Sequence, residues 1–136
     1  MNDKALFQWS DDYRTGHKVI DKEHRHLFFL AQELADAIHL CEDNKYFIIY
    51  ALSQLQDYTE THFRNEEKLM RDYRYEHCES HVKNHDRLLH QVEHLLEEFQ
   101  KGKPVLTRET LFFLKEWLST HILQDDLKLA RLFRQA

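Results

Sequence analysis

Histidine and carboxylate residues recur at helical spacing in this chain of 136 residues, which contains eleven histidines. His62 and Glu66 are four residues apart, and so are His81 and His85, so each pair lies on one face of a helix. Burying imidazoles without a shared partner costs roughly 1–3 kcal/mol each. A metal ion removes that cost because it accepts the lone pairs of the ring nitrogens. The spacing therefore predicts a metal centre inside a helical protein.

Every predicted helix carries at least one such histidine on its apolar face. Those near the starts of helices one and three and near the ends of helices two and four would meet at one end of an antiparallel bundle. Five imidazoles and two carboxylates exceed the four ligands of a closed zinc site and fit two metals with bridging carboxylates. Mixed ligation in a helical core favours iron, with manganese as the second choice. The inward histidines are His24, His62, His81, His85 and His121, with Glu66 and either Asp125 or Asp126 as the carboxylates.

Six further histidines are not expected to bind metal. His90 is nine residues after His81, about 900° of helical turn, and so faces the opposite side. His94 shares that solvent-facing side, and His77 is interpreted as a residue of the turn before helix three. The remaining three are His17, His26 and His39.

The composition favours a fold with few turns. With two glycines and one proline, 42% hydrophobic and 32% charged residues, the chain suits one all-α domain, 1–136. We predict an antiparallel up-and-down four-helix bundle with an N-terminal arm. The arm covers 1–20 and the helices about 21–41, 44–72, 77–101 and 108–133, with Asp21, Asp43 or Asn44, and Thr107 as N-caps and Gly102 after helix three.

Charge and hydropathy exclude several classes of protein. The net charge of -5, from 19 basic and 24 acidic residues, disfavours nucleic acid as a partner. The longest apolar run, Tyr46–Leu52, is too short to insert in a membrane, and no signal region begins the sequence. Cys41 and Cys78 lack metal-binding spacing and are read as ordinary thiols of a reduced compartment. We therefore expect a cytoplasmic protein, and a monomer because no broad apolar seam is evident.

Four sequence segments together resemble the hemerythrin family: VIDKEH (19–24), HFRNEEKLM (62–70), HVKNH (81–85) and HILQDD (121–126), with FQW at 7–9. The resemblance implies a non-haem di-iron centre that binds dioxygen reversibly, with no catalytic residue required. It assigns His81, His85 and His121 to one iron, His24 and His62 to the other, and Glu66 and Asp126 as bridges beside an oxo or hydroxo group.

Helical spacing and the family resemblance predict different residues for the second bridging carboxylate. Ideal helix geometry favours Asp125, four residues after His121, whereas the family pattern uses Asp126, which implies a locally widened turn.

The same resemblance places Phe63, Trp117 and Leu118 in an apolar dioxygen pocket. Carriage or storage of dioxygen is the first hypothesis. An oxygen-sensing, redox-sensing or iron-handling module, and a di-iron oxidase, peroxidase or nitric oxide scavenger, are the alternatives.

Overall fold

Four long helical segments form an antiparallel bundle, which confirms the predicted all-α fold. The structure is a computed structural model and describes residues 6–40, 44–105 and 108–135. No helix among these residues is long and apolar enough to cross a membrane. The helices are α1 Lys18–Leu40, α2 Lys45–Asp72, α3 Cys78–Gln100, α4 Arg108–Thr120 and α5 Leu127–Gln135, with a π-helical turn, His121–Asp126, joining α4 to α5.

Local capping interactions explain where α2 begins and where α3 ends. The Asn44 side chain accepts a hydrogen bond of 3.1 Å from the backbone N–H of Phe47, as expected for an N-cap. After α3, Gly102 adopts a φ of 88° and donates its N–H to the Phe99 carbonyl. This left-handed conformation favours glycine and ends the helix. The proposed cap Thr107 and the expected end of helix one at Cys41 lie outside the described residues.

The start of α1 differs from the prediction, and Asp21 is not its N-cap. The helix begins at Lys18, and the Nδ1 atom of His17 accepts the backbone N–H of Ile20 at 3.3 Å. The carboxylate of Asp21 instead accepts hydrogen bonds from the N–H and hydroxyl of Thr15, at 2.8 and 2.7 Å, and from the N–H of Gly16. Asp21 lies in the first turn of the helix, so its side chain reaches back and fixes the arm.

The arm packs against the bundle through aromatic side chains, as predicted. Phe7 is only 4% exposed, and its N–H donates to the side-chain carbonyl of Gln32. The ring of Tyr13 lies 5.0 Å from that of Phe28 on α1, and its hydroxyl lies 3.3 Å from the Ser119 hydroxyl on α4. The arm therefore contacts two helices of the bundle.

A polar layer separates two apolar clusters in the core. Along α2 the buried positions run from Leu55 through His62 and Glu66 to Met70. Leu55 belongs to the large cluster that fills most of the bundle, and Met70 belongs to a small cluster with Leu129. The polar residues thus lie inside the bundle, near the end where α2 finishes and α3 begins.

Candidate metal centre

Buried nitrogen and oxygen atoms from all four helical segments converge in two adjacent groups. Within each group, one potential ligand atom per residue lies within 4.8 Å of every other. All seven predicted ligand residues take part, and each is at most 4% exposed. The three-histidine group contains Glu66, His81, His85, His121 and Asp126, and the two-histidine group contains His24, His62, Glu66 and Asp126.

Asp126 presents one carboxylate oxygen to each group. Its Oδ2 atom lies 2.8 Å from Nε2 of His24, in the two-histidine group. Its Oδ1 atom lies 3.1 Å from Nε2 of His81 and 3.3 Å from Nε2 of His121, in the three-histidine group. The carboxylate is therefore oriented to be shared between the groups.

Glu66 likewise presents one carboxylate oxygen to each group. Its Oε2 atom lies 3.1 Å from Nε2 of His62 and 3.4 Å from Nε2 of His24. Its Oε1 atom faces the other group, 3.0 Å from Nε2 of His85 and 3.3 Å from Nε2 of His81. Two buried carboxylates, each oriented toward both groups, match the donor arrangement of a bridged pair of cations.

Many of these converging atoms have no hydrogen-bond partner within the described residues. If metal ions fit the site, they should supply the missing partners. Buried polar atoms without partners cost about 1–3 kcal/mol each, so native proteins contain few of them. Among the described residues, most such atoms belong to the candidate ligands and face one another. Cations between them would satisfy all of them, and a mixed imidazole and carboxylate set suits iron or manganese. The unpartnered atoms include Nε2 of His24, His62, His81 and His121, Oε2 of Glu66 and both carboxylate oxygens of Asp126.

Three of the histidines contact a further carboxylate through the opposite ring nitrogen. A carboxylate at Nδ1 holds the proton there and leaves the Nε2 lone pair facing the cluster, which orients the ring and strengthens it as a ligand. The Nδ1 atoms of His62, His85 and His121 lie 2.6, 2.8 and 3.2 Å from carboxylate oxygens of Glu23, Glu67 and Asp125, respectively.

Further side chains hold two of these carboxylates in place. The amide of Asn65 donates to Glu23 at 2.7 Å, and the guanidinium of Arg64 donates to Glu67 at 2.8 Å. Glu23 and Glu67 are not among the residues predicted from the sequence. Their only sequence signal is an acidic residue directly beside a candidate ligand, and its partner lies on another helix.

The widened turn brings Asp126, and not Asp125, into the two groups of candidate ligands. Across the π turn, the N–H of Leu127 donates to the carbonyl of Ile122, five residues earlier. One extra residue in the turn brings Asp126 to the face that the fourth residue after His121 would occupy in a regular α-helix. Asp126 is 1% exposed within the cluster, whereas Asp125 is half-buried beside Nδ1 of His121.

Opposite charges overcome the effect of burial on the pKa values of the cluster. Burial raises the pKa of Glu66, yet the surrounding histidines, His62 first, hold it well below its ordinary value. Burial and the charge of Glu66 raise the pKa of Asp126, but His121 and its neighbours bring the net shift below the ordinary value. Burial lowers the histidine pKa values, but the carboxylates raise those of His62 and His81 to about 9. The carboxylates therefore keep the negative charge that attracts cations.

Apolar side chains lie beside both histidine groups, and the ring of Phe63 lies 5.9 Å from that of His62 in the two-histidine group. Phe63 is 1% exposed and stacks on the ring of His85 at 3.8 Å, with its plane tilted by only 5°. Trp117 lies 6.4 Å from Phe63, and Leu118 is buried in the large apolar cluster. The three residues expected around a dioxygen pocket thus lie in or beside the core next to the candidate ligands.

The two-histidine group has an aromatic neighbour, Trp9, that is not among the predicted pocket residues. The ring of Trp9, in the arm, lies 6.5 Å from that of His24 and 5.9 Å from that of Phe28. The guanidinium of Arg25 lies over the Trp9 ring, 5.4 Å from its centroid. The arm has no sequence period, so its register over the helices could not be predicted.

The six remaining histidines belong to neither group of candidate ligands. His90 and His94 are exposed on α3, as the helical turn predicts. His77 is exposed in the turn before α3, with Nε2 lying 3.5 Å from Glu76. His17 caps α1, and His26 and His39 are exposed.

A helical bundle with histidine and carboxylate side chains gathered in its core has the architecture of a core metal-binding protein. Residues 15–133 match the family model described as the hemerythrin HHE cation binding domain. The chain is 36% identical over 122 residues to bacteriohemerythrin of Pseudomonas aeruginosa strain LESB58, covering 90% of this chain and 78% of that protein. It is 31% identical to hemerythrin subunit alpha of Lingula reevii, with 91% and 92% covered. A crystal structure of wild-type hemerythrin matches with a TM-score of 0.88 and 27% identity, covering 94% of this chain and 98% of that one. The chain belongs to the hemerythrin family.

Proposed function

We propose that this chain holds two iron ions in the cluster and binds dioxygen reversibly, as an oxygen carrier or store. The observation that carries the proposal is the orientation of the two buried carboxylates, each with one oxygen toward each histidine group. Iron would supply the reversible electron transfer on which dioxygen binding depends. His81, His85 and His121 would hold one ion and His24 and His62 the other, with Glu66 and Asp126 shared.

The two groups differ by one histidine, and this asymmetry favours binding of a small molecule. Three histidines and two carboxylates would offer one ion more ligands than two histidines and two carboxylates would offer the other, which would leave more room at the second ion. All the candidate ligands come from one chain, so the centre is complete in a monomer. The apolar side chains of Phe63, Trp117 and Leu118 would keep water and protons away from the bound gas.

Cycles of oxygenation test the proposal directly. The chain is loaded with ferrous iron under anaerobic conditions, exposed to air, and returned to anaerobic conditions while its visible spectrum is recorded. A charge-transfer band that appears with dioxygen and disappears on its removal, over repeated cycles, supports carriage. Irreversible conversion to a ferric spectrum in the first cycle would reject carriage and favour sensing or turnover.

The ligand assignment is tested by His121→Ala, with His90→Ala as the matched control. His121 is 4% exposed and belongs to the three-histidine group, so its loss should reduce bound iron from two ions per chain to one or fewer. His90 is exposed and should leave the iron content unchanged. Iron is measured by a colorimetric chelator after desalting. Equal iron losses in both variants would contradict the assignment.

A further inference from the structure

A basic pocket opens on the surface at the metal-centre end of the bundle. It has a volume of about 330 Å³ and lies between the α2–α3 connection and α5. The whole chain carries a net charge of -5, whereas the side chains around this pocket are mainly positive. The charged side chains that line it are Arg74, Glu76, His77, Lys128 and Arg131.

Three of these cations lack a carboxylate partner. Among the residues that the structure describes, none of Arg74, Lys128 and Arg131 has an acidic group within ion-pair distance, whereas Lys68 lies 2.8 Å from Asp72. The acidic residue of the pocket, Glu76, lies 3.5 Å from His77. The pocket therefore presents positive charge that forms no ion pair with a carboxylate of the described residues.

The backbone of Arg74 is held in a conformation that favours glycine. Its φ is 55°, in the left-handed region, directly after the last turn of α2. Glycine is the usual residue at this position of a helix end, and another side chain there stores strain. Such outliers cluster at functional sites. An arginine at a position that favours glycine suggests that its positive charge has a functional role.

Tyr75 connects the pocket to a candidate ligand. It is 8% exposed and lines the pocket, and its ring centroid lies 6.4 Å from that of His81 and 5.5 Å from that of His77. Its backbone N–H donates to Met70, which fixes its position at the end of α2. The ring thus spans the space between the surface and the metal centre.

We propose that this basic pocket is the docking surface for a small acidic iron–sulfur protein that donates electrons to the centre through Tyr75 and His81. The inference rests on the proposed function. Reversible carriage returns the electrons to iron when dioxygen leaves, but a centre that releases dioxygen as hydrogen peroxide would be left with two ferric ions, and two electrons must then be supplied before it binds dioxygen again. In each encounter one electron leaves the reduced iron–sulfur cluster and converts one ferric ion to ferrous. Two encounters restore both ions, and no covalent bond forms or breaks in the transfer itself.

Charge complementarity favours an acidic protein as the occupant. The cations lie on two separate elements around an open pocket, an arrangement that steers a partner of opposite charge into one orientation. A weak, salt-sensitive encounter suits an electron donor, because the donor must leave after each transfer.

Docking is tested with the iron-loaded chain and an oxidised plant-type [2Fe–2S] ferredoxin, a small acidic protein, by calorimetric titration at low ionic strength. Arg74→Gly should weaken binding about two- to fivefold, the range for one exposed ion pair. It should also raise Tm by roughly 3 °C, because the left-handed strain is relieved. Lys128→Gln combined with Arg131→Gln should weaken binding further. Lys45→Gln removes the same charge at the opposite end of α2 and should have no effect.

The electron route is tested by stopped-flow reduction of the air-oxidised, iron-loaded chain with reduced ferredoxin, whose low reduction potential provides the driving force. Tyr75→Leu removes the aromatic ring and should slow transfer at saturating ferredoxin, a rate that does not depend on the Kd, at least tenfold. Tyr75→Phe keeps the ring and should keep the rate. A parental rate in Tyr75→Leu would overturn the route through this residue.

The docking surface is overturned if Arg74→Gly and the Lys128/Arg131 double variant bind ferredoxin as tightly as Lys45→Gln. Binding to oxidised ferredoxin requires no oxygen chemistry, so it is measured independently of the proposed function. Lost docking with intact oxygenation cycles would reject only this inference. Failed oxygenation with intact docking would reject only the proposed function.

Discussion

Carboxylates that contact Nδ1 of the histidines orient the rings of the candidate metal ligands. Glu67 is 4% exposed, accepts from His85 at 2.8 Å and is itself held by Arg64. A buried carboxylate at this position fixes the ring orientation and increases the electron density at the opposite nitrogen. Glu67 would therefore act through His85 as a positioning residue.

We expect Glu67→Gln to weaken iron binding about 10- to 100-fold, the usual loss when a residue behind a metal ligand is changed. Glutamine retains the shape but removes the charge that holds the Nδ1 proton. Affinity is measured by competition with a chelator of known strength. Glu93→Gln, at an exposed position of α3, is the control. A parental affinity in Glu67→Gln would show that the carboxylate charge is unimportant.

At the scale of an element, the π turn sets the register of the fourth helical segment. It adds one residue between His121 and Asp126 and so directs both side chains into the core. The segment beyond it places Leu129 and Ala130, at most 1% exposed, in the core. The turn therefore joins two stretches of regular helix whose buried faces remain aligned.

Deleting Gln124 tests this interpretation. Gln124 is exposed in the π turn, and its removal should restore a regular α-helix with Asp126 four residues after His121. We expect two irons per chain at saturating iron and a Tm within a few degrees of the parent. Deleting Glu116, exposed in the regular helix α4, rotates every later residue by about 100° and should abolish iron binding. Equal behaviour of the two deletions would contradict this account of the turn.

At the scale of the whole molecule, the cluster is a polar layer within an apolar core. Its side chains come from all four helical segments, and many of their atoms lack partners within the protein. Ions that bind this layer would connect the helices to one another and stabilise the fold by mass action. Iron should therefore contribute to stability as well as to gas binding.

Removing iron with a chelator should lower the free energy of unfolding by about 4 kcal/mol for each of the two ions, when free iron had stood at a thousand times the Kd of each site. Urea unfolding of the loaded and stripped chain measures the difference. Hydrogen exchange should rise most at the start of α3 and in the π turn, which carry three of the histidines. In His121→Ala, iron removal should lower the free energy of unfolding by less than in the parent. An unchanged unfolding curve in the parent would contradict the linkage.

Features encoded within one helix could be predicted from the sequence alone. The pairs His62 with Glu66 and His81 with His85 depend on a repeat of 3.6 residues, which is the same in every α-helix. Asn44 and Gly102 act at helix ends through contacts with residues only three positions away. The number of helices, their order and the faces that carry the candidate ligands follow from such local rules.

Contacts between elements were decided only by the tertiary structure. Asp21 fixes the arm because α1 begins earlier than its capping pattern suggests, and Trp9 reaches His24 because the arm crosses that helix. Glu23 meets His62 across 39 positions of sequence, a distance that no local period encodes. The place of Asp126 depends on a widened turn that ideal helix geometry excludes. Packing brings distant segments together and selects among local conformations of similar energy, so these features required the folded chain.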